Sequence, residues 1–105
     1  MQFHPLEISG AWIVDPHSIE DERGSFARNF CAQEFADHGL TRSFVQHSRS
    51  WNRVAGCVRG MHFQRQPHVE AKLVSCIAGA IFDVCLDLRP DSPTFLTWKA
   101  VELSA

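Results

Sequence analysis

The sequence contains no tyrosine, and its other gaps narrow the field as well. No apolar run approaches the ~20 residues needed to cross a bilayer, so no membrane span is expected. The opening stretch, Met1 to Gly10, has neither a cationic start nor an apolar centre and carries His4, Pro5 and Glu7. It does not read as a secretory signal, and the expected compartment is the cytoplasm. The four cysteines, Cys31, Cys57, Cys76 and Cys85, form no C-x-x-C pair, which argues against a zinc knuckle. With apolar neighbours, each is expected to act as a small buried hydrophobe. The 10 basic and 12 acidic side chains are interspersed and leave a net charge of -2, without the basic stripe that a nucleic-acid partner requires. There is no internal repeat, low-complexity tract or linker. Residues 1–105 therefore read as a single domain, long enough to bury one core.

What is present is regular punctuation. Gly and Pro recur at short intervals, and the Val-, Ile- and Phe-containing runs between them have strand length. Strands are expected at Ala11–Val14, Ser25–Phe30, Ser43–Ser48, Cys57–Gln64, Ala71–Ile77, Ala80–Leu88 and Phe95–Leu103. Turn signals separate them at Asp15-Pro16, Asp21 to Gly24, Gln66-Pro67, Ala78-Gly79 and Arg89 to Pro93. One short helix is expected over Ala32–His38, where Ala32, Phe35 and Ala36 share a face and Gly39 supplies a left-handed stop. Successive strands joined by short turns predict an antiparallel barrel or sandwich. The chain stops at Ala105 directly after an alternating strand, which predicts that further strands are missing.

Two features mark a chemically interesting face. From Ile81 to Arg89 the even positions Phe82, Val84, Leu86 and Leu88 are apolar, whereas the odd positions include Asp83, Cys85, Asp87 and Arg89. Period-two alternation puts these sets on opposite faces, so the polar face either meets water or lines a cavity. Between Gln46 and Lys72 the chain also concentrates His47, Arg49, Asn52, Arg53, Arg59, His62, Gln64, Arg65, His68, Glu70 and Lys72, interleaved with Trp51 and Phe63. An imidazole here can serve as a general base, and the cations are what a diphosphate requires. A metal is not expected. Gly56 and His62 have the first spacing of a metal-binding cupin, but Gln64 stands where the second His belongs, Glu70 falls late, and an amide is a poor transition-metal ligand.

Seven stretches in order carry a resemblance: Asp21-Glu22-Arg23-Gly24, Phe44-Val45-Gln46, Arg59 to Gln64, Glu70 to Val74, Phe82-Asp83-Val84, Asp87 to Thr94 and Val101 to Ala105. Together they resemble the dTDP-4-dehydrorhamnose 3,5-epimerase family over essentially the whole chain. The resemblance implies a mainly β, cupin-type jelly-roll barrel, incomplete here, with one short helix. It also implies a homodimer that exchanges strands, and a metal-free, cofactor-free isomerase acting on a dTDP-4-keto-6-deoxy sugar. Inverting a carbon beside a ketone needs a base, a group that holds the enolate oxygen, and an acid on the opposite face. His62 is the natural base and Lys72 the natural enolate stabiliser. By similarity to the family, Arg59 would hold the diphosphate, Arg23 and Gln46 the nucleotide, with Arg23 reaching a partner subunit's site. Asp83 would orient polar groups in the cavity, and Asn52 would contact sugar or phosphate.

The chain departs from the family pattern at two points. Arg28 stands where a Glu is usual, and the family's acid is a Tyr in a second half of the barrel, as is the Asp that supports its His. With no Tyr present, the opposite-face proton donor lies outside these 105 residues. Gln46-x-Ser48-x-Ser50-x-Asn52 follows a pattern of relatives that act on other 4-keto sugars, which admits inversion at one carbon only. The competing readings are a non-catalytic cupin fragment that binds a nucleotide sugar and a metal-dependent cupin enzyme.

Overall fold

A computed structural model describes residues 1–105. Its elements are β1 (Gln2–Pro5), β2 (Trp12–Asp15), β3 (Ser18–Asp21), β4 (Gly24–Ala27), α1 (Ala32–Asp37), β5 (Ala80–Leu86) and β6 (Trp98–Ser104). They pair as three antiparallel hairpins, β1 with β2, β3 with β4 and β5 with β6, and no barrel closes. No helix is long and apolar enough to cross a membrane.

Local chemistry accounts for each hairpin. In the β3–β4 turn, Asp21 faces Gly24 across the ladder, and Gly24 adopts φ +131°, a region L side chains avoid. The Asp21 carboxylate accepts the Arg23 backbone N–H at 2.9 Å and closes the turn. Helix α1 stops where Gly39 takes φ +71°, and the Gly39 and Leu40 amides donate to Ala36 and Phe35. His38 caps the helix instead of continuing it, its Nδ1 lying 2.8 Å from the Glu34 carbonyl. The strands at Gln2–Pro5 and Ser18–Asp21 are additions to the sequence reading. Each is four residues long and lacks a strong apolar run, so only the partner strand defines it.

The core is small and aromatic. Ile8 and Phe35 are each 2% exposed, and Asp87 is the only other buried residue. Phe35 makes edge contacts with Phe3, Phe30 and Phe44 at centroid distances of 5.5, 4.8 and 6.4 Å. His38 stacks on Phe3 at 3.9 Å and meets the edge of Trp12 at 5.5 Å. Such pairs add about 0.5–1.5 kcal/mol beyond area burial. A polar seam ties the first hairpin to the last. Arg89 Nη2 donates to the Ser9 carbonyl at 2.5 Å, the Ser9 amide donates to Thr94 Oγ1 at 3.2 Å, and Lys99 pairs with Glu7.

Residues 45–78 stand apart from this frame. They contain no helix or strand, so the strands expected at Ser43–Ser48, Cys57–Gln64 and Ala71–Ile77 do not form. A strand is stabilised by a ladder to a neighbour, and within these 105 residues no neighbour reaches them. On the even face of the last hairpin Val84 and Leu86 are half-buried, whereas Phe82 is 72% and Trp98 61% exposed. One further expectation is corrected. Cys57 and Cys85 are exposed, and Cys31 and Cys76 are half-buried, because the single core is too small to enclose them.

Candidate active site

Five of the seven residues singled out from sequence, Gln46, Asn52, Arg59, His62 and Lys72, lie on the exposed segment 45–78, and the other two, Arg23 and Asp83, belong to the frame. Each engaged side chain is held locally. Arg59 Nη1 donates to Ser50 Oγ at 2.6 Å, and Lys72 Nζ pairs with Glu70 at 2.7 Å. Arg23 donates to Asp21 through Nε at 3.2 Å and Nη2 at 2.5 Å. This hydrogen bonding holds the Asp21 carboxyl below its ordinary range and the Arg23 guanidinium above its own. Asp83 sits half-buried on β5 opposite Val101. No hydrogen bond or ion pair joins any two of the seven residues.

The surroundings of His62 are set by glycine. Gly60 has φ +116°, and a Cβ there would come within 3.9 Å of both the backbone N and Nδ1 of His62. That distance is ordinary contact, so it is the positive φ at position 60 that calls for glycine, whereas Gln46 and Asn52 stand exposed on open chain. Arg65 lies over the Phe63 ring at 5.9 Å, a cation–π contact within the same segment. An open concavity of about 420 Å³ is lined by Ile19, Asp21, Arg23, Gly24, Ser25 and Phe26, which places Arg23 at a depression. Nowhere do three or more His, Cys, Asp or Glu side chains converge as a metal ion would need.

The carboxylate just beyond β5, Asp87, has a purpose that the sequence did not reveal. The Asp87 side chain is 1% exposed and accepts from Arg89 Nε at 2.8 Å, Arg89 Nη2 at 2.9 Å, Ser92 Oγ at 2.5 Å and Thr94 Oγ1 at 2.7 Å. These bonds, led by Arg89, hold its carboxyl far below the usual carboxylate range. Asp87 is thus a structural anchor and neither water nor a ligand cavity is its partner. Nearby, partial desolvation of its sulfur and then the charges of Asp83 and Asp87 push the Cys85 thiol up, although the residue as a whole is exposed, which makes it a weak nucleophile. The signal for the anchor was the spacing of Asp87, Arg89, Ser92 and Thr94, short polar residues that return to a single carboxylate across a turn.

The chain has counterparts among proteins of known sequence and structure. The sequence model of the dTDP-4-dehydrorhamnose 3,5-epimerase family matches residues 5–105. The dTDP-4-dehydrorhamnose 3,5-epimerase of Escherichia coli K12 is 45% identical over 103 residues, covering 94% of this chain and 54% of its own length. That of Methanothermobacter thermautotrophicus is 43% identical over 103 residues, covering 98% and 55%. Among solved structures, the Bacillus anthracis dTDP-4-dehydrorhamnose 3,5-epimerase with TDP and PPi bound superposes with a TM-score of 0.93 at 38% identity, over 99% of this chain and 59% of that one. A 4-keto-6-deoxy sugar epimerase from the novobiocin biosynthetic gene cluster of Streptomyces spheroides gives 0.91 at 39%, over 99% and 52%. The fold is therefore the mainly β, cupin-type fold of these epimerases, with one short helix and without barrel closure. The chain belongs to the dTDP-4-dehydrorhamnose 3,5-epimerase family. It spans about half the length of the curated relatives it matches.

Proposed function

We propose that this chain carries the base and the anion-holding groups of an epimerase acting on a dTDP-4-keto-6-deoxy sugar. The observation that carries the reading is the family match over 5–105, which spans all seven candidate residues. His62 takes the proton from the carbon beside the ketone, and the electron pair moves to the carbonyl oxygen as an enolate. Lys72, released from Glu70, stabilises that oxygen. Arg59 holds the diphosphate and Arg23 and Gln46 the nucleotide, while Asn52 contacts sugar or phosphate and Asp83 orients polar groups. Inversion is completed by a proton delivered to the opposite face, from an acid beyond these residues. Proton removal and return balance without a metal or cofactor.

The same reading includes a homodimer. The β3–β4 hairpin supports it: every residue of β3 is exposed, and the cross-strand pair Ile19 and Phe26 is 63% and 72% exposed. An isolated two-stranded hairpin is marginal in water, so a second subunit would give this one a surface to pack on.

The test is solvent exchange in heavy water with the 4-keto-6-deoxy sugar nucleotide. A base without its opposite-face acid returns a solvent deuteron to the face it came from, so the chain alone should wash deuterium into C3 or C5 without net inversion. In the His62→Ala variant this exchange should fall about 10²- to 10⁴-fold. Saturable binding with no deuterium incorporation would instead establish a non-catalytic nucleotide-sugar binder.

A further inference from the structure

We propose that Asp21 is the positioning residue for Arg23, holding its guanidinium so that the unused donors meet an oxygen of the bound nucleotide, a role that rests on Arg23 being a nucleotide contact. The chain builds the same carboxylate clamp twice, and only one of the two is complete within the chain. In Asp87-Leu88-Arg89, Asp87 Oδ1 accepts the Arg89 backbone N–H at 3.0 Å and Nε at 2.8 Å, and Oδ2 accepts Nη2 at 2.9 Å. The guanidinium held in this way also donates from Nη2 to the Ser9 carbonyl at 2.5 Å. One edge is fixed by the carboxylate, and the remaining donors are delivered to an oxygen from elsewhere.

In Asp21-Glu22-Arg23 the first half of that device recurs. Asp21 Oδ1 accepts the Arg23 backbone N–H at 2.9 Å and Nε at 3.2 Å, and Oδ2 accepts Nη2 at 2.5 Å. No oxygen of the chain accepts from Nη1. Asp21 also differs from Asp87 in having no partner except Arg23, whereas Asp87 takes Ser92 and Thr94 as well. The Asp87 side chain is 1% exposed, against 43% for Asp21 and 83% for Arg23. An exposed pair contributes little to stability, so this clamp is not what holds the hairpin. Its free edge lies at the 420 Å³ concavity, where Arg23 is the one cation and Ile19 and Phe26 supply apolar surface.

Two effects of Asp21 on an anionic ligand oppose each other. Its charge offsets part of that of Arg23, which disfavours the anion, but this attraction and repulsion are screened by salt over about 8 Å at 0.15 M. Its hydrogen bonds hold a long side chain that binding would otherwise have to order, and salt does not remove that advantage. Bonding to Arg23 keeps the Asp21 carboxyl below its ordinary range, so the clamp stays ionised at neutral pH.

The test is the affinity of the whole chain for dTDP by titration calorimetry, at about 0.15 M and about 1 M salt. Asp21→Asn keeps an oxygen for the Arg23 amide and loses the charged fork. It should weaken dTDP binding about 2- to 10-fold relative to wild type at both salt concentrations, the range set by ordering one rotamer-rich side chain. Glu22→Gln removes an equal charge from a side chain that makes no hydrogen bond or ion pair, and should not weaken binding. Arg23→Lys keeps the cation without the fork, so in that background Asp21→Asn should have no further effect. Amide hydrogen exchange in β3–β4 should be the same in Asp21→Asn and wild type. Unchanged or tighter binding by Asp21→Asn, with affinity lost in Arg23→Ala, would overturn the role of Asp21 and leave Arg23 in the site. So would weaker binding matched by faster exchange in the hairpin, since Asp21 would then serve the turn. Unchanged affinity in Arg23→Ala would remove Arg23 from the nucleotide reading, and the role of Asp21 with it.

Discussion

The frame, residues 1–44 with 79–105, and the segment 45–78 differ in what holds them. The frame has three hairpins, a helix, an aromatic cluster and a buried carboxylate. The segment has arginines, histidines and exposed apolar side chains but only local hydrogen bonds and ion pairs. Most of the candidate chemistry therefore sits where the chain provides least structure of its own. Within this fold, having the groups for a reaction and positioning them are separate properties, and the second depends on strand neighbours that the segment lacks.

The contrast can be broken at Phe35. Phe35→Ala removes the side chain around which Phe3, Phe30 and Phe44 gather, and should destabilise the frame by about 3–5 kcal/mol in urea denaturation. Loss of less than about 1 kcal/mol would mean that the aromatic cluster is not the core. Next comes Asp87→Asn, which removes the charge that Arg89 donates to and should expose amides of both the first and last hairpins to hydrogen exchange. Loss confined to β5–β6 would show that the seam to Ser9 contributes nothing.

Acid sharpens the same point. The Asp87 carboxyl is depressed in the folded chain, so its contribution is complete above the ordinary carboxylate pKa of about 4 and is lost as pH falls from there toward the folded value. The wild-type Tm should be level above about pH 5 and drop below about pH 4, with a shallower drop in Asp87→Asn. An equal acid slope in the variant would assign the transition to other carboxylates. The smallest effect is expected in the segment: Val58→Ala, at a side chain 93% exposed, should change stability by no more than about 0.5 kcal/mol. A larger loss in the chain alone would mean that 45–78 packs on the frame in solution.

Legibility in the sequence followed the range of the interaction concerned. Helix α1 was readable because the spacing of Phe35 and Ala36 and the stop at Gly39 act within one or two turns. The last hairpin was readable because turn signals bound two strand-length runs rich in apolar side chains. Cys57–Gln64 and Ala71–Ile77 are runs of the same length and form no strand, since such a run cannot supply its own neighbour. Asp87 was legible only as a polar residue on an otherwise suggestive face. Its role required Ser9, linked through Arg89 across 80 positions, to be brought to the same place.

The amino-acid order alone determined the mainly β character, the helix stop, the family and the inventory of imidazole, cations and amides between Gln46 and Lys72, because these depend on residue identity and short spacings. Only the tertiary structure decided which strands have partners, that Phe82 and Trp98 face outward, and that Asp87 is a buried anchor. Ladder pairing and the satisfaction of a buried charge join residues far apart in the chain, so neither is encoded in any single stretch of it.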